Sequence, residues 1–158
     1  MTFDLRKLSF GGPAAIVTSM ALIVGLDAAT AAKTTVVTGL LIIGIADNLT
    51  DSLSVHIYQE SESMAESQAL RTTVANFLTR IAVSLSFIVL FWLLPTSTAI
   101  YVCVIWGFAL LSGLSYLLAR VRRANAISEV WKHSAVAFVV IALSKAIGVW
   151  LPAVMAQG

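Results

Sequence analysis

Five apolar stretches of about 20 residues each, separated by short polar segments, decide what this chain can fold into. Roughly 20 apolar residues in a helix cross a bilayer, because lipid does not tolerate unpaired backbone groups. Of the 158 residues, 59% are hydrophobic and 11% are charged, whereas soluble domains have about 25% charged residues. The pattern predicts an all-α, polytopic membrane protein with one domain over 1–158. The predicted helices are at about 11–31, 34–58, 74–95, 98–120 and 133–155.

The basic residues predict how these helices are oriented. They cluster before the first helix and around the second and fourth connections, whereas the other connections and the C-terminal tail contain only Lys33. Because basic loops remain in the cytoplasm, the N-terminus is expected in the cytoplasm and the C-terminus outside, which requires an odd number of helices. The clustered residues are Arg6, Lys7, Arg71, Arg80, Arg120, Arg122, Arg123 and Lys132. A different interpretation takes the start of the chain, through "DAATAA" at 27–32, as a cleavable signal peptide that leaves four helices.

The composition excludes several classes of protein. The net charge is only +2 and no basic block is interleaved with aromatic residues, so no nucleic-acid partner is expected. The single Cys103 cannot form an intrachain disulfide, and with two scattered histidines it does not make a zinc cluster. No nucleophile elbow or phosphate loop occurs, so neither an enzyme nor a permanently bound cofactor is expected. The expected partner is the lipid bilayer.

An acidic stretch, "IADNLTDSLSVHIYQE" at 45–60, follows the most apolar part of the second helix without a helix breaker. Helical spacing puts Asp47, Asp51, Ser54 and Tyr58 on one face, and carboxylates four residues apart lie about 6 Å from each other. Two such anions in a medium of low dielectric constant repel, so a proton or a cation is expected between them. The sequence therefore predicts a path for cations and protons along this face.

The residues predicted to serve this path fall into two groups. Asp47, Asp51, Ser54 and Tyr58 are expected to line it, and carboxylates at Asp47, Asp51 and Glu60 are expected to bind the metal, since hard cations prefer oxygen ligands. Cations are expected to collect at its cytoplasmic mouth at His56, Glu60, Glu62 and Glu66. A solvated extension of the helix is the alternative interpretation of Glu60 and Glu62.

Lys145, in "IALSKAIGVWL", is a second charge within an apolar helix. An intramembrane ion pair with Asp47 or Asp51 would lower the cost of burying both charges. The alternative is that its long side chain extends to one membrane surface.

The stretch 21–62 resembles the first two helices of the vacuolar iron transporter family, and 76–95 and 133–151 resemble the third and fifth helices. In that family the second helix has an acidic residue followed by a serine and methionine, and Asp47 and Ser54 match this register, whereas Val55 replaces the methionine. The family also has an acidic residue early in the first helix, where this chain has alanine.

The resemblance implies a homodimer of five-helix subunits whose interface uses helices one and two. It also implies that Fe²⁺ or Mn²⁺ is the transported ion and is exported from the cytosol in exchange for protons. The membrane would then be the cell membrane of a prokaryote or the vacuolar membrane of a eukaryote. The rival hypothesis is a membrane scaffold that keeps this fold without transport, with Lys145 neutralising the former cation site.

Overall fold

The computed structural model describes residues 11–30 and 32–157, and the regular structure in this part of the chain is entirely helical. Each of the five helices is long and apolar enough to cross a bilayer, which is consistent with an integral membrane protein. The prediction of an all-α chain with five such helices is thus confirmed. They are α1 (Gly12–Thr30), α2 (Lys33–Ser61), α3 (Glu66–Leu93), α4 (Thr96–Val121) and α5 (Ala126–Met155). Arg6 and Lys7 lie outside the described residues.

Two helices begin well before the apolar stretches that predicted them. Helix α3 starts at Glu66 rather than near 74, and α5 starts at Ala126 rather than near 133. The α5 start is set by Asn125, whose side chain accepts hydrogen bonds from the amides of Ile127 (3.1 Å) and Ser128 (3.2 Å). Such a cap satisfies amides that the first helical turn leaves unpaired. A helix that projects from the bilayer needs no apolar side chains there, so hydropathy underestimates its length.

A tight turn at 62–65 joins α2 to α3. Ser63 adopts the left-handed region with φ of 56°, and the amide of Met64 donates to the carbonyl of Gln59 over 3.2 Å. This bond, from one residue back to the fifth before it, is typical of a helix that ends at a left-handed residue. The turn makes α2 and α3 an antiparallel helical hairpin.

Helix α1 forms the centre of the bundle and packs against each of the other four helices. Its buried side chains Ile16, Met20 and Ile23 share one apolar core with Phe87 of α3 and Leu111 of α4. Helix α5 is peripheral, because only two of its residues are buried. The order of the helices around α1 therefore leaves α2 and α5 as neighbours of α1 that do not pack against each other.

The gap between α2 and α5 forms an apolar cleft of about 440 Å³ with one face of α1 as its floor. Leu22 and Gly25 of α1, Ile43 of α2 and Ile147 of α5 are among the residues that line it. We call it the α2–α5 cleft. It leaves part of the central helix uncovered by the residues that the structure describes.

Two glycines allow α4 and α5 to approach α1 closely. A Cβ atom at Gly148 would collide with the carbonyl oxygen of Gly25 and would lie 2.9 Å from the Cβ of Ala28. A Cβ atom at Gly107 would collide with the sulfur of Met20. Small residues at such contacts let membrane helices gain van der Waals attraction over their backbones.

Candidate functional site: a buried arginine between two aspartates

The polar residues of α2 and α3 meet as pairs because the turn at 62–65 sets the register of the hairpin. Residues at nearly equal distances from the turn, one on each helix, lie opposite each other. These pairs are Asp47 with Arg80, Asp51 with Asn76, and His56 with Thr73. The acidic face of α2 is therefore not isolated, and the structure supplies its partners from α3.

Arg80 is 1% exposed and is the largest fully buried side chain of the described residues. Its Nε donates to Oδ1 of Asn48 (2.8 Å), its Nη1 donates to the carbonyl of Gly11 (3.1 Å), and its Nη2 donates to Oδ2 of Asp47. Nη1 also lies 3.3 Å from Oδ2 of Asp51. The planar fork of a guanidinium can satisfy several acceptors at once, which a lysine ammonium cannot do in this geometry.

Two asparagines complete what we call the Arg80 cluster: Asp47, Asn48, Asp51, Asn76 and Arg80. The Nδ2 of Asn76 donates to Oδ2 of Asp51 over 2.9 Å, and Nδ2 of Asn48 donates to a backbone carbonyl of its own helix. The Oδ1 atom of Asn76 is buried without a hydrogen-bond partner. A Cβ atom placed at Gly11 would collide with this Oδ1 atom and would lie 2.6 Å from Cδ of Arg80.

The Arg80 cluster contains two carboxylates and one guanidinium, so with both aspartates ionised it carries a surplus of one negative charge. The ion pairs of Arg80 join its Nη atoms to the Oδ2 atom of each aspartate. The side chains of Asp47 and Asp51 are 45% and 33% exposed, in contrast to the buried arginine. The two partly exposed carboxylates are thus accessible to a cation or a proton at the surface of the chain.

Asp47 lies on the side of α2 that borders the α2–α5 cleft. It comes one helical turn after Ile43, which lines the cleft, so the two side chains lie on the same face of α2. The acidic end of this face lies beyond Ile43, on the side of the turn at 62–65.

A second, smaller group of polar side chains lies about one to two helical turns nearer to the turn at 62–65. His56 Nε2 is 3.4 Å from Oε1 of Glu60, and its Nδ1 is 3.4 Å from the hydroxyl of Thr73. Gln59 is nearby in sequence and is 5% exposed, with its Oε1 atom buried and unpartnered. His56 and Glu60, both predicted at the mouth of the path, therefore form one pair.

The other residues predicted for the path do not join these groups. Ser54 is exposed and donates to the carbonyl of Thr50, and Tyr58 is 58% exposed. Glu62 and Glu66 are exposed at the turn and the start of α3. In residues 11–30 and 32–157, no three acidic, histidine or cysteine side chains are grouped as a metal site. Asp47 and Asp51 are together, whereas Glu60 lies nine residues beyond Asp51, or about 13 Å along the helix.

Lys145 lies away from the Arg80 cluster, and both aspartates have Arg80 as their cation instead. It is exposed on α5 and lines a different cavity, together with Asp27 of α1. Within the described part of the chain it forms no ion pair.

Arg80, Asn48 and Asn76 are the members of the cluster that the sequence did not assign to the site. Arg80 contributed only to the count of basic residues. The signal that would have found it is the hairpin register, because a turn centred near 63–64 places Arg80 opposite Asp47. The sequence does not reveal this register, because the polar residues between 58 and 74 predict a long connection and not two helix ends.

No protein-family model, no curated protein and no solved structure matches this chain. The resemblance to the vacuolar iron transporter family therefore remains a prediction, and the function has to be inferred from the geometry of the chain itself.

Proposed function

We propose that this protein transports divalent metal cations, Fe²⁺ or Mn²⁺, across a membrane in exchange for protons. The observation that supports this most directly is the charge balance of the Arg80 cluster, in which two half-exposed aspartates share one buried arginine. Uncompensated charge in a bilayer costs about 2.5–3.5 kcal/mol on insertion scales. The surplus carboxylate therefore needs a positive partner, and a proton and a metal ion are alternatives for that role.

In the proposed exchange, Arg80 is the fixed counter-ion and the aspartates carry the variable charge. Arg80 neutralises one carboxylate throughout and holds both by their Oδ2 atoms. A proton on Asp47 or Asp51 closes the charge balance of one cluster. One divalent metal ion carries two positive charges, so it replaces two such protons, one from each of two clusters, at the carboxylates. Carboxylate oxygen is the ligand type that Mn²⁺ shares with Mg²⁺ and Ca²⁺.

We further propose that the working unit is a homodimer whose subunits meet along α1 and α2. One chain's described residues do not group three metal ligands, so a second copy is needed to complete the coordination. The α2–α5 cleft supports this, because it uncovers α1 beside the face of α2 that carries Asp47. The surface that a second copy would cover there is apolar, as expected for subunits that meet within the membrane.

Metal flux into liposomes that contain the purified protein tests the proposal. With Mn²⁺ outside and a dye inside that is quenched by Mn²⁺, we expect uptake that accelerates when the liposome interior is acidic. Asp47→Asn should reduce this flux at least about ten-fold, since it removes the surplus charge. A ten-fold loss corresponds to about 1.4 kcal/mol. The variant should stay folded because Arg80 keeps Asp51 as its ion-pair partner.

Glu129→Gln is the matched control, since Glu129 is an acidic residue of α5 that pairs with Lys132 and lies outside the Arg80 cluster. Its flux should equal that of the wild type. Flux that is unaffected by Asp47→Asn, or that shows no dependence on the pH gradient, would contradict proton-coupled exchange at this site. A protein that is monomeric in crosslinking at every concentration would contradict the two-subunit site.

The orientation that we propose has the turn at 62–65 in the cytoplasm and the C-terminus outside, as the basic residues predict. Single cysteines at exposed positions test it, because the natural Cys103 is fully buried and should not react. Ala65→Cys and Ala124→Cys should be labelled by a membrane-impermeant maleimide only in inverted vesicles. Thr98→Cys and Gln157→Cys should be labelled only from outside. Labelling of positions 65 and 157 from the same side would rule out this orientation.

A non-transporting scaffold is the second candidate, and the burial of Arg80 favours it. Arg80 has four acceptors and already binds both aspartates. In a purely structural cluster, only one negative charge would then lack a counter-charge. In this proposal Arg80, rather than Lys145, neutralises the acidic face. Wild-type liposomes with no flux of any divalent metal, and a melting temperature independent of metal, would favour the scaffold.

A further inference from the structure

A second cavity, lined by both charged and apolar residues, lies where α1 ends and α4 begins, and its volume is about 560 Å³. Asp27 of α1 and Lys145 of α5 both line it, together with the hydroxyl residues Thr96, Ser97 and Tyr101 of α4. The Arg80 cluster contributes no residue to this cavity. The proposed transport function makes no use of it.

Asp27 and Lys145 carry opposite charges into the same cavity without pairing. In the described part of the chain, neither side chain makes a hydrogen bond or an ion pair with another residue. Opposite charges at the edge of a bilayer attract strongly because the surroundings have a low dielectric constant. Since both side chains line one cavity without pairing, a molecule with one positive and one negative group suits the two of them better than a simple ion.

The level of the cavity in the bundle indicates where such a molecule would come from. Asp27 is three residues before the end of α1, and Thr96 and Ser97 begin α4. These helix ends lie at the level of the lipid headgroups if the helices span a bilayer. Three hydroxyl groups and an ammonium suit the several acceptor oxygens of a phosphate.

We propose that this cavity binds an ethanolamine phosphate group, with the phosphate at Lys145 and the α4 hydroxyls and the ammonium at Asp27. A primary ammonium donates hydrogen bonds to a carboxylate, whereas a quaternary ammonium has no proton to donate and is held by cages of aromatic rings. The same chemistry is present in a phosphatidylethanolamine headgroup and in free phosphoethanolamine.

Ligand-dependent thermal stability of the purified protein in detergent tests this proposal, since a ligand that binds only the folded state raises its melting temperature. The probes are short-chain phosphatidylethanolamine, phosphatidylcholine and phosphatidylglycerol, and soluble phosphoethanolamine. We expect saturable stabilisation by phosphatidylethanolamine at concentrations at which the other two lipids have little effect. Lys145→Met and Asp27→Asn should each weaken the apparent affinity by about ten-fold or more.

Lys132→Met and Glu129→Gln are matched controls, because both residues lie on α5 outside the cavity, and both should bind as the wild type does. Lys145→Arg keeps the positive charge and should keep binding even if Lys145→Met folds poorly. Stabilisation by both phosphoethanolamine and phosphatidylethanolamine would support the proposal and show that the cavity accepts the free molecule as well as the lipid headgroup. Stabilisation by phosphatidylethanolamine alone would support it with the membrane lipid as the ligand.

Equal stabilisation by phosphatidylcholine would overturn the role of Asp27, and equal stabilisation by phosphatidylglycerol would show a site for anions only. A wild type that none of the probes stabilises, or a Lys145→Met variant with unchanged affinity, would overturn the site itself. None of these outcomes depends on metal flux, so this proposal and the proposed transport function fail separately.

Discussion

Arg80→Met should destabilise the protein by about 3 kcal/mol, the low end of the cost of breaking a buried ion pair, because the two aspartates left behind are partly exposed. The change removes the cation that both Asp47 and Asp51 share and leaves the buried Asn48 side chain without its donor. That loss is large beside a typical stability of about 5–15 kcal/mol. Unfolding in mixed micelles with increasing denaturing detergent, followed by circular dichroism, measures it.

Two comparisons separate charge from packing in this result. Arg71→Met changes an exposed arginine of the same helix and should alter stability by less than about 0.5 kcal/mol. Adding Asp47→Asn and Asp51→Asn to Arg80→Met removes the stranded charges and should restore much of the loss. If the triple variant were as unstable as Arg80→Met alone, the stabilisation would come from the shape of the arginine and not from its charge.

Gly148→Leu should have the second large effect, a loss of about 3 kcal/mol or more, at the top of the range for overpacked sites. The atom in the way of any side chain is the backbone carbonyl oxygen of Gly25, which cannot rotate aside. Helix α5 must therefore move away from α1, and α5 has only one other buried residue, Ala137, to hold it. Unfolding under the same detergent conditions measures the loss.

Gly113→Ala provides the matched control in a membrane helix. No atom lies within 4 Å of a Cβ placed at Gly113, so alanine should be neutral or should stabilise α4 by up to about 1 kcal/mol through its higher helix propensity. Gly148→Ala should already be clearly destabilising. Equal effects of alanine at 113 and 148 would mean that α1 and α5 are not in close contact.

The sequence predicted the helices of this protein better than it predicted their pairing. Apolar stretches have an unmistakable length in a membrane protein, so five helices followed directly from hydropathy. Hydropathy also singles out Asp47 and Asp51, because charge within such a helix is exceptional. Hydropathy does not indicate Arg80 as the partner of these aspartates. The helix ends on both sides of the turn at 62–65 are polar, so hydropathy does not detect them and does not reveal the register of the hairpin. Lys145 was a candidate partner of Asp47 or Asp51 because it is an isolated charge in an apolar helix. The hydrophobic periodicity of a helix, however, does not indicate which other helices are adjacent to it.

The pairing of α2 with α3 also bears on how the chain enters its membrane. An arginine or an aspartate near the middle of a lone helix resists transfer from the translocation channel into lipid by about 2.5–3.5 kcal/mol. Because Asp47 and Arg80 lie opposite each other across a turn of only four residues, 62–65, each can shield the other during that transfer. Helices α2 and α3 would then leave the channel together as one hairpin, and the chain would be inserted in fewer steps than it has helices.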